Sequence, residues 1–189
     1  IAGIALKLKS TSWKTNIMKE AADIFYDKDF INKIDKNFDL LCFSNGIIDF
    51  AKQEFRKGQP CDYVSKCTNI PYIKFDKTNT EHIEIQIEIE DFFRKLFPNK
   101  SLYKYIWEHL ASTLSGRNTN QTFNIYTGEG RNGKSKMAEL MQLVLGDYCG
   151  QVPITLVTGN RTTIGSLSPE VAQMKGIRYA IMQEPSKGM

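Results

Sequence analysis

The sequence predicts a mixed chain: an α+β N-terminal region of helices plus a β-hairpin over residues 1–118, then the start of an α/β domain over residues 119–189. Three observations predict it. Residues 121–137, QTFNIYTGEGRNGKSKM, place a β-prone run, a glycine-rich loop and a helical periodicity in that order. Leu40-Leu41-Cys42-Phe43 and Ile47-Ile48-Asp49-Phe50 are two short apolar runs around Ser44-Asn45-Gly46, a strong hairpin signal because Asn and Gly both tolerate φ > 0. Residues 80–116 carry two apolar stripes at helical spacing, separated by Pro98.

Taken in order, residues 1–38 read as helical. Trp13, Ile17, Ala21, Ile24 and Phe25 form one stripe, expected to pack on the core, with Thr11 or Ser12 as N-cap and a break at residues 27–29. Lys7, Lys9, Lys14 and Lys19 read as a solvated face. After the hairpin, residues 51–79 mix charge, Gly58, Pro60 and Pro71 with short apolar runs, which predicts a loop-rich stretch with one or two further strands. Ile83, Ile85, Ile87 and Ile89 alternate as in a strand, yet Ile85, Ile89, Phe92 and Leu96 share a helical stripe, and Pro98 follows as a stop. We read a helix. A second follows from Ser101 through Leu114 to Gly116, with His109 as a packed or surface histidine and residues 117–121 as a polar linker.

The central loop, Gly128-Glu129-Gly130-Arg131-Asn132-Gly133-Lys134-Ser135, fits G-x-x-x-x-G-K-[ST]. The chemistry needs glycines so that successive N–H groups can turn toward a polyphosphate, and a helix N-terminus to add partial positive charge. The expected ligands are a nucleotide polyphosphate, which the resemblance below makes ATP, and Mg²⁺. Residues 128–136, Lys136 included, would surround the phosphates, with Lys134 neutralising them and Ser135 holding the metal. The helix from Lys134 should end at Gly146. Residues 152–156 could form a strand or an extended lead, residues 158–168 a polar loop, and Pro169 opens a short helix. Residues 176–185, GIRYAIMQEP, read as a buried parallel strand that delivers Glu184 to the loop, for the Mg²⁺ shell or the attacking water. Arg178, before that strand, reads as structural.

Composition narrows the class. With 189 residues, 41% of them hydrophobic, the chain can bury a core, and no run reaches the ~18 apolar residues of a membrane span. No signal-peptide order opens it, so an intracellular protein without a membrane partner is expected. Cys42, Cys61, Cys67 and Cys149 contain no C-x-x-C pair and read as reduced thiols. The net charge of +4 divides as +2 over residues 1–120 and +2 over residues 121–189, so neither half is a polycation. Starting at Ile1 and stopping at Met189, the chain reads as a fragment.

The segments GEGRNGKS, GDY (residues 146–148) and SPEVAQMKGIRYAIMQEP together resemble the superfamily 3 helicase domain of poxvirus-type primase-helicases, found in nucleocytoplasmic large DNA viruses and related phages. FSNGIIDF, RKGQPCDYVS and Ile70-Pro71-Tyr72 look like the region that precedes the ATPase in that family. The resemblance implies an AAA+-like phosphate-loop ATPase domain and a homo-hexameric ring that unwinds DNA, single-stranded or forked, during viral or phage replication. It also implies a primase domain in the same polypeptide, and a location in host cytoplasm, viral replication compartment or virion. Carried over, Lys134 and Glu184 become the catalytic residues and Ser135 and Glu184 the metal ligands. Many members place two acidic residues where this chain has Gln183 and Glu184, which leaves open whether Glu184 serves metal, water or both. The family's sensor, arginine finger and DNA-binding hairpin would lie beyond Met189.

Two other classes compete. A small phosphoryl-transfer kinase of nucleosides or metabolites fits poorly, because 127 residues precede the loop and no arginine-rich lid follows it. A GTPase would want an N-K-x-D motif, which the sequence lacks. Residues 1–120 could instead act as a non-catalytic adaptor or collar, which is compatible with a helicase.

Overall fold

The computed structural model describes residues 2–119, 121–130, 132–159 and 169–183. The chain divides into two compact units, residues 1–34 and 35–189. The first holds helices α1 (Ala2–Lys9), α2 (Thr11–Ile24) and α3 (Phe30–Lys33). Ser10, extended at φ −80° and ψ 128°, occupies the N-cap of α2, one residue before the predicted Thr11 or Ser12. The expectation that the α2 stripe packs on a core is corrected: no residue of α2 is buried, and Trp13 and Ile17 are 46% and 43% exposed. A helical stripe dictates a helix but not its cover. Lys7 Nζ lies 4.5 Å over the Trp13 ring, so part of that basic face is engaged within its own unit.

The second unit opens with an antiparallel meander of β1 (Leu40–Phe43), β2 (Gly46–Asp49) and β3 (Glu54–Arg56), in the order β1-β2-β3. Phe43 pairs with Gly46 and Leu40 with Asp49, so the hairpin turns on Ser44 and Asn45. The hairpin forms as the sequence predicts, but for a different reason. Neither Asn45 nor Gly46 has positive φ. A Cβ at Gly46 would sit 2.6 Å from the Arg56 carbonyl oxygen and the Phe55 ring, so glycine is there for space. Asn45 serves a distant segment instead. Its Nδ2 donates to the Tyr72 carbonyl at 2.9 Å and its Oδ1 accepts from the Tyr72 N–H at 2.8 Å. Between β3 and that segment, Arg56 grips Asp62 with two N–H donors at 2.9 and 2.6 Å, and the guanidinium holds the carboxyl below its usual range.

Helices α4 (Thr80–Leu96) and α5 (Lys100–Ser112) each begin at an asparagine N-cap, where Asn79 Oδ1 accepts from Glu81 N and Asn99 Oδ1 from Ser101 N, both at 2.9 Å. The helix reading of the alternating isoleucines holds. α6 (Lys134–Leu145) follows, ended by Gly146, and a 3₁₀ turn over residues 146–148 leads into β4 (Cys149–Gln151). α7 (Thr155–Thr158), α8 (Pro169–Gln173) and β5 (Tyr179–Ile181) complete the order. β4 and β5 pair in parallel, Cys149 with Tyr179 and Gln151 with Ile181. The strand of the 149–156 region thus lies earlier than predicted, and residues 155–158 turn helical.

One core joins these pieces. Leu41 from β1, Phe93 from α4, Ile106 and Leu110 from α5, and Met137, Met141 and Leu145 from α6 pack with Tyr148 and Tyr179. This cluster draws on both sides of residue 118. Burying these side chains supplies the main favourable term for folding this unit.

The β-prone run before the loop is corrected. Residues 121–128 belong to no strand, and Phe123 and Ile125 are 64% and 74% exposed. A strand exists through its ladder, and this run pairs with no described strand. Among the described residues, no helix is long and apolar enough to cross a membrane. The four cysteines are free thiols, and no cluster of His, Cys, Asp and Glu with metal-binding geometry occurs among the described residues.

Candidate nucleotide-binding site

The site begins at Gly133, which takes φ 80° and ψ −2° immediately before α6. Only glycine adopts this readily, and a second constraint reinforces it: a Cβ here would run into Leu96 Cδ1 at the end of α4. Any helix leaves the N–H groups of its first turn without intrahelical partners, and Gly133 offers no side chain to cap them. The first regular bond runs from Met137 N to the Gly133 carbonyl at 3.0 Å. Behind this turn, Met137, Ala138, Met141 and Leu145 anchor α6 in the core. The helix N-terminus is thus presented at the surface by a buried shaft.

Lys134 folds back over the loop. Its Nζ donates to the carbonyl oxygens of Gly128 and Glu129 at 3.1 and 3.3 Å, and to Asn132 Oδ1 at 2.7 Å. Gly128 has φ 153°, again glycine territory, and the Asn132 amide lies where its Cβ would be. Gly130 differs, because a Cβ there meets nothing within 4 Å. Ser135 is exposed in the first turn of α6. Lys136 is bonded to Glu139 at 2.7 Å along the exposed side of α6. The structure therefore brings Gly128, Glu129, Asn132, Gly133 and Lys134 into one loop. Arg131 and Glu184 lie outside the described residues.

Sequence reasoning missed what holds the loop's leading segment. Tyr105 on α5 donates to Asn124 Oδ1 at 3.1 Å, and His109, one turn on, meets the Tyr126 hydroxyl at 2.6 Å through Nε2. Tyr126 Oη lies 3.5 Å from Tyr179 Oη on β5. Burial pushes the Tyr126 hydroxyl far above its usual pKa, so it stays protonated beside the His109 ring. Burial also holds the His109 imidazole below its usual range. The spacing of Tyr105 and His109 on one face of α5 was the available signal.

A pH dependence follows. His109 takes up a proton in the unfolded chain near pH 6.5 but only at lower pH when folded, so its contribution to stability is intact above that value. Stability should fall as pH drops through the folded value. Urea midpoints at pH 7.5 and 5.5 are expected to differ more in the unsubstituted chain than in His109→Gln. An equal difference in both would place the acid sensitivity elsewhere.

Downstream, the Gly-Asp-Tyr segment is a structural clasp. Asp147 accepts from Cys67 N at 3.0 Å and from Asn69 Nδ2 at 2.8 Å, and its own N–H donates to the Cys67 carbonyl at 2.9 Å. Tyr148 donates to the Lys66 carbonyl at 2.9 Å and accepts from Cys42 N at 3.1 Å, while burial pushes its hydroxyl up to about 12. Arg178 is structural, as the sequence suggested. Its guanidinium lies 4.4 Å over the Tyr148 ring and donates to the carbonyls of Leu40 and Leu114.

The sequence is similar to that of known viral proteins. The family model described as D5 N terminal like matches residues 3–116. A candidate helicase of Acanthamoeba polyphaga mimivirus is 40% identical over 98% of this chain, which covers 19% of that protein. A candidate helicase of Invertebrate iridescent virus 3 is 32% identical over 96% of the chain, again 19% of the protein. A candidate primase of African swine fever virus is 25% identical over 96% of the chain and 19% of its own length. The chain thus spans about a fifth of the length of these relatives. It belongs to the D5 N-terminal-like family of viral primase-helicases.

Proposed function

We propose that residues 119–189 begin a phosphate-loop ATPase domain of AAA+ type and that the chain is part of an ATP-driven DNA helicase in viral replication. One observation carries this reading: Lys134 stands at the glycine-led N-terminus of α6 with its ammonium gathered by the loop's own oxygens, an arrangement that phosphate oxygens can enter by exchange. The residues present fit Mg²⁺-ATP. In this reading the first-turn N–H groups and Lys134 hold the phosphates, Ser135 contributes a metal ligand, and Glu184 serves the metal or the attacking water. The bound nucleotide would supply the free energy that the ring converts into strand separation.

The relatives named for helicase and primase motivate DNA as partner and a primase segment in the same polypeptide, and the resemblance to superfamily 3 helicases adds a homo-hexameric ring. In such rings a neighbouring subunit's arginine completes the site and is worth ~10³ to 10⁵ in rate, so the 189-residue chain should bind ATP better than it hydrolyses it. The test is ATP hydrolysis with and without single-stranded DNA, in a polypeptide of the relatives' length that carries this chain. At least about tenfold stimulation by DNA, lost in Lys134→Ala, is expected. Hydrolysis indifferent to DNA but driven by a small hydroxyl acceptor would make the protein a kinase.

A further inference from the structure

The loop carries its own competitor for the phosphate. Asn132 Oδ1 accepts from Lys134 Nζ at 2.7 Å, the shortest of the three bonds that ammonium makes, and the other two acceptors are neutral backbone carbonyls at 3.1 and 3.3 Å. The same amide turns its Nδ2 over Gly128, close enough that any Cβ at that position would collide with it. Gly128 is therefore bare for a reason internal to the ligand-free loop: its missing side chain makes room for Asn132. The carboxamide lies across the loop, with the ammonium on its oxygen and the backbone of residue 128 beneath its nitrogen.

We propose that Asn132 is a gating residue of the phosphate loop, whose side-chain oxygen occupies the place on Lys134 that a phosphate oxygen takes when nucleotide binds. The inference rests on the nucleotide reading above. Binding then requires an exchange in which Lys134 leaves Asn132 for the phosphate and the Asn132 amide swings off Gly128. Because only the open fraction of the loop can accept ligand, apparent affinity is lowered by that fraction. The arrangement also keeps the half-buried Lys134 ammonium hydrogen-bonded without ligand. Asn132 acts through Lys134 and is a positioning residue, not a catalytic one.

Two measurements on the 189-residue chain test this, one of them without nucleotide. In the ligand-free chain, amine acylation followed by mass spectrometry reads the accessibility of Lys134 against Lys136 as internal reference. Asn132→Ala should label Lys134 about three- to tenfold faster, and Asn132→Asp more slowly, because a carboxylate holds the ammonium more tightly. In titrations with Mg²⁺-ATP and with pyrophosphate, Asn132→Ala should bind about three- to tenfold tighter and Asn132→Asp at least about tenfold more weakly. Asn132 is exposed in a loop, and matching circular dichroism spectra would establish that the variants fold. If Asn132→Ala binds ATP more weakly while Lys134→Ala abolishes binding, Asn132 is a phosphate ligand and the gate is overturned while the nucleotide site stands. If Lys134→Ala binds ATP like the unsubstituted chain, the nucleotide reading fails and the gate with it. Unchanged labelling of Lys134 in Asn132→Ala overturns the gate irrespective of nucleotide.

Discussion

Gly146→Ala is expected to destabilise the second unit by about 3 kcal/mol or more, from backbone strain added to a backbone collision. Gly146 has φ 52° and ψ −122°, a combination that residues with a Cβ avoid. The collision is with main chain: a Cβ would fall 2.6 Å from the Thr68 carbonyl carbon and 2.8 Å from the Cys67 oxygen. Neither atom is the end of a flexible side chain, and both belong to the segment that Asp147 and Tyr148 clasp. Relief therefore means breaking the clasp. For a unit of this size the melting temperature should fall by about 6–12 °C. Gly130→Ala, where a Cβ meets nothing within 4 Å, is the control and should change it by less than about 2 °C. A Gly146→Ala chain that melts with the control would mean that the 66–69 segment moves away at little cost.

Arg178→Met should cost about 3–5 kcal/mol. The guanidinium donates to carbonyls from two distant elements, Leu40 at the start of β1 and Leu114 beyond α5, and stacks 4.4 Å over Tyr148. Hydrogen bonds from a charged donor are worth about 1.5–3 kcal/mol each, and the replacement leaves two carbonyls without their donor. Methionine keeps the apolar stem and loses the fork. Arg178→Lys should recover less than half of the loss, because one ammonium cannot span both carbonyls while covering the ring. Denaturant midpoints measure this, and a Met variant within about 1 kcal/mol of the unsubstituted chain would show that the brace is dispensable. Burial lowers the Arg178 pKa without neutralising it, so the brace should persist across the accessible pH range.

What was legible in the sequence was local. The apolar stripes and Pro98 announced α4 and α5, and the glycine-rich run ending at Gly133 announced α6, because each is a pattern among near neighbours; the caps at Asn79 and Asn99 are equally local but were not read. The isoleucines at 83, 85, 87 and 89 looked like a strand for a physical reason. At 100° per residue Ile85 and Ile89 fall on one side of α4 and Ile83 and Ile87 on the other, and all four remain partly exposed, between 37% and 61%. Alternation arose from apolar residues placed on two sides of one helix.

What was not legible depends on partners far along the chain. The run at 123–126 has β-branched and aromatic character, but a strand needs a ladder, and Asn124 and Tyr126 are held by side chains of α5. Gly46 looked like a turn glycine and is a packing glycine, because Phe55 and Arg56 press on it from β3. The residues of the phosphate loop were readable as a motif. The Asn132–Lys134 bond was not, since a motif states which residues are present and not which of them bond one another before a ligand arrives.

In the proposed nucleotide site, residues 128–135 hold a polyphosphate through Lys134. Equilibrium binding of Mg²⁺-ATP to the 189-residue chain and to Lys134→Ala, by titration calorimetry at one salt concentration, tests it most directly. Saturable one-site binding that weakens by about 100-fold or more in Lys134→Ala is expected, the loss that follows when a charged donor to phosphate is removed. The same dissociation constant in both chains, with both folded, would contradict it.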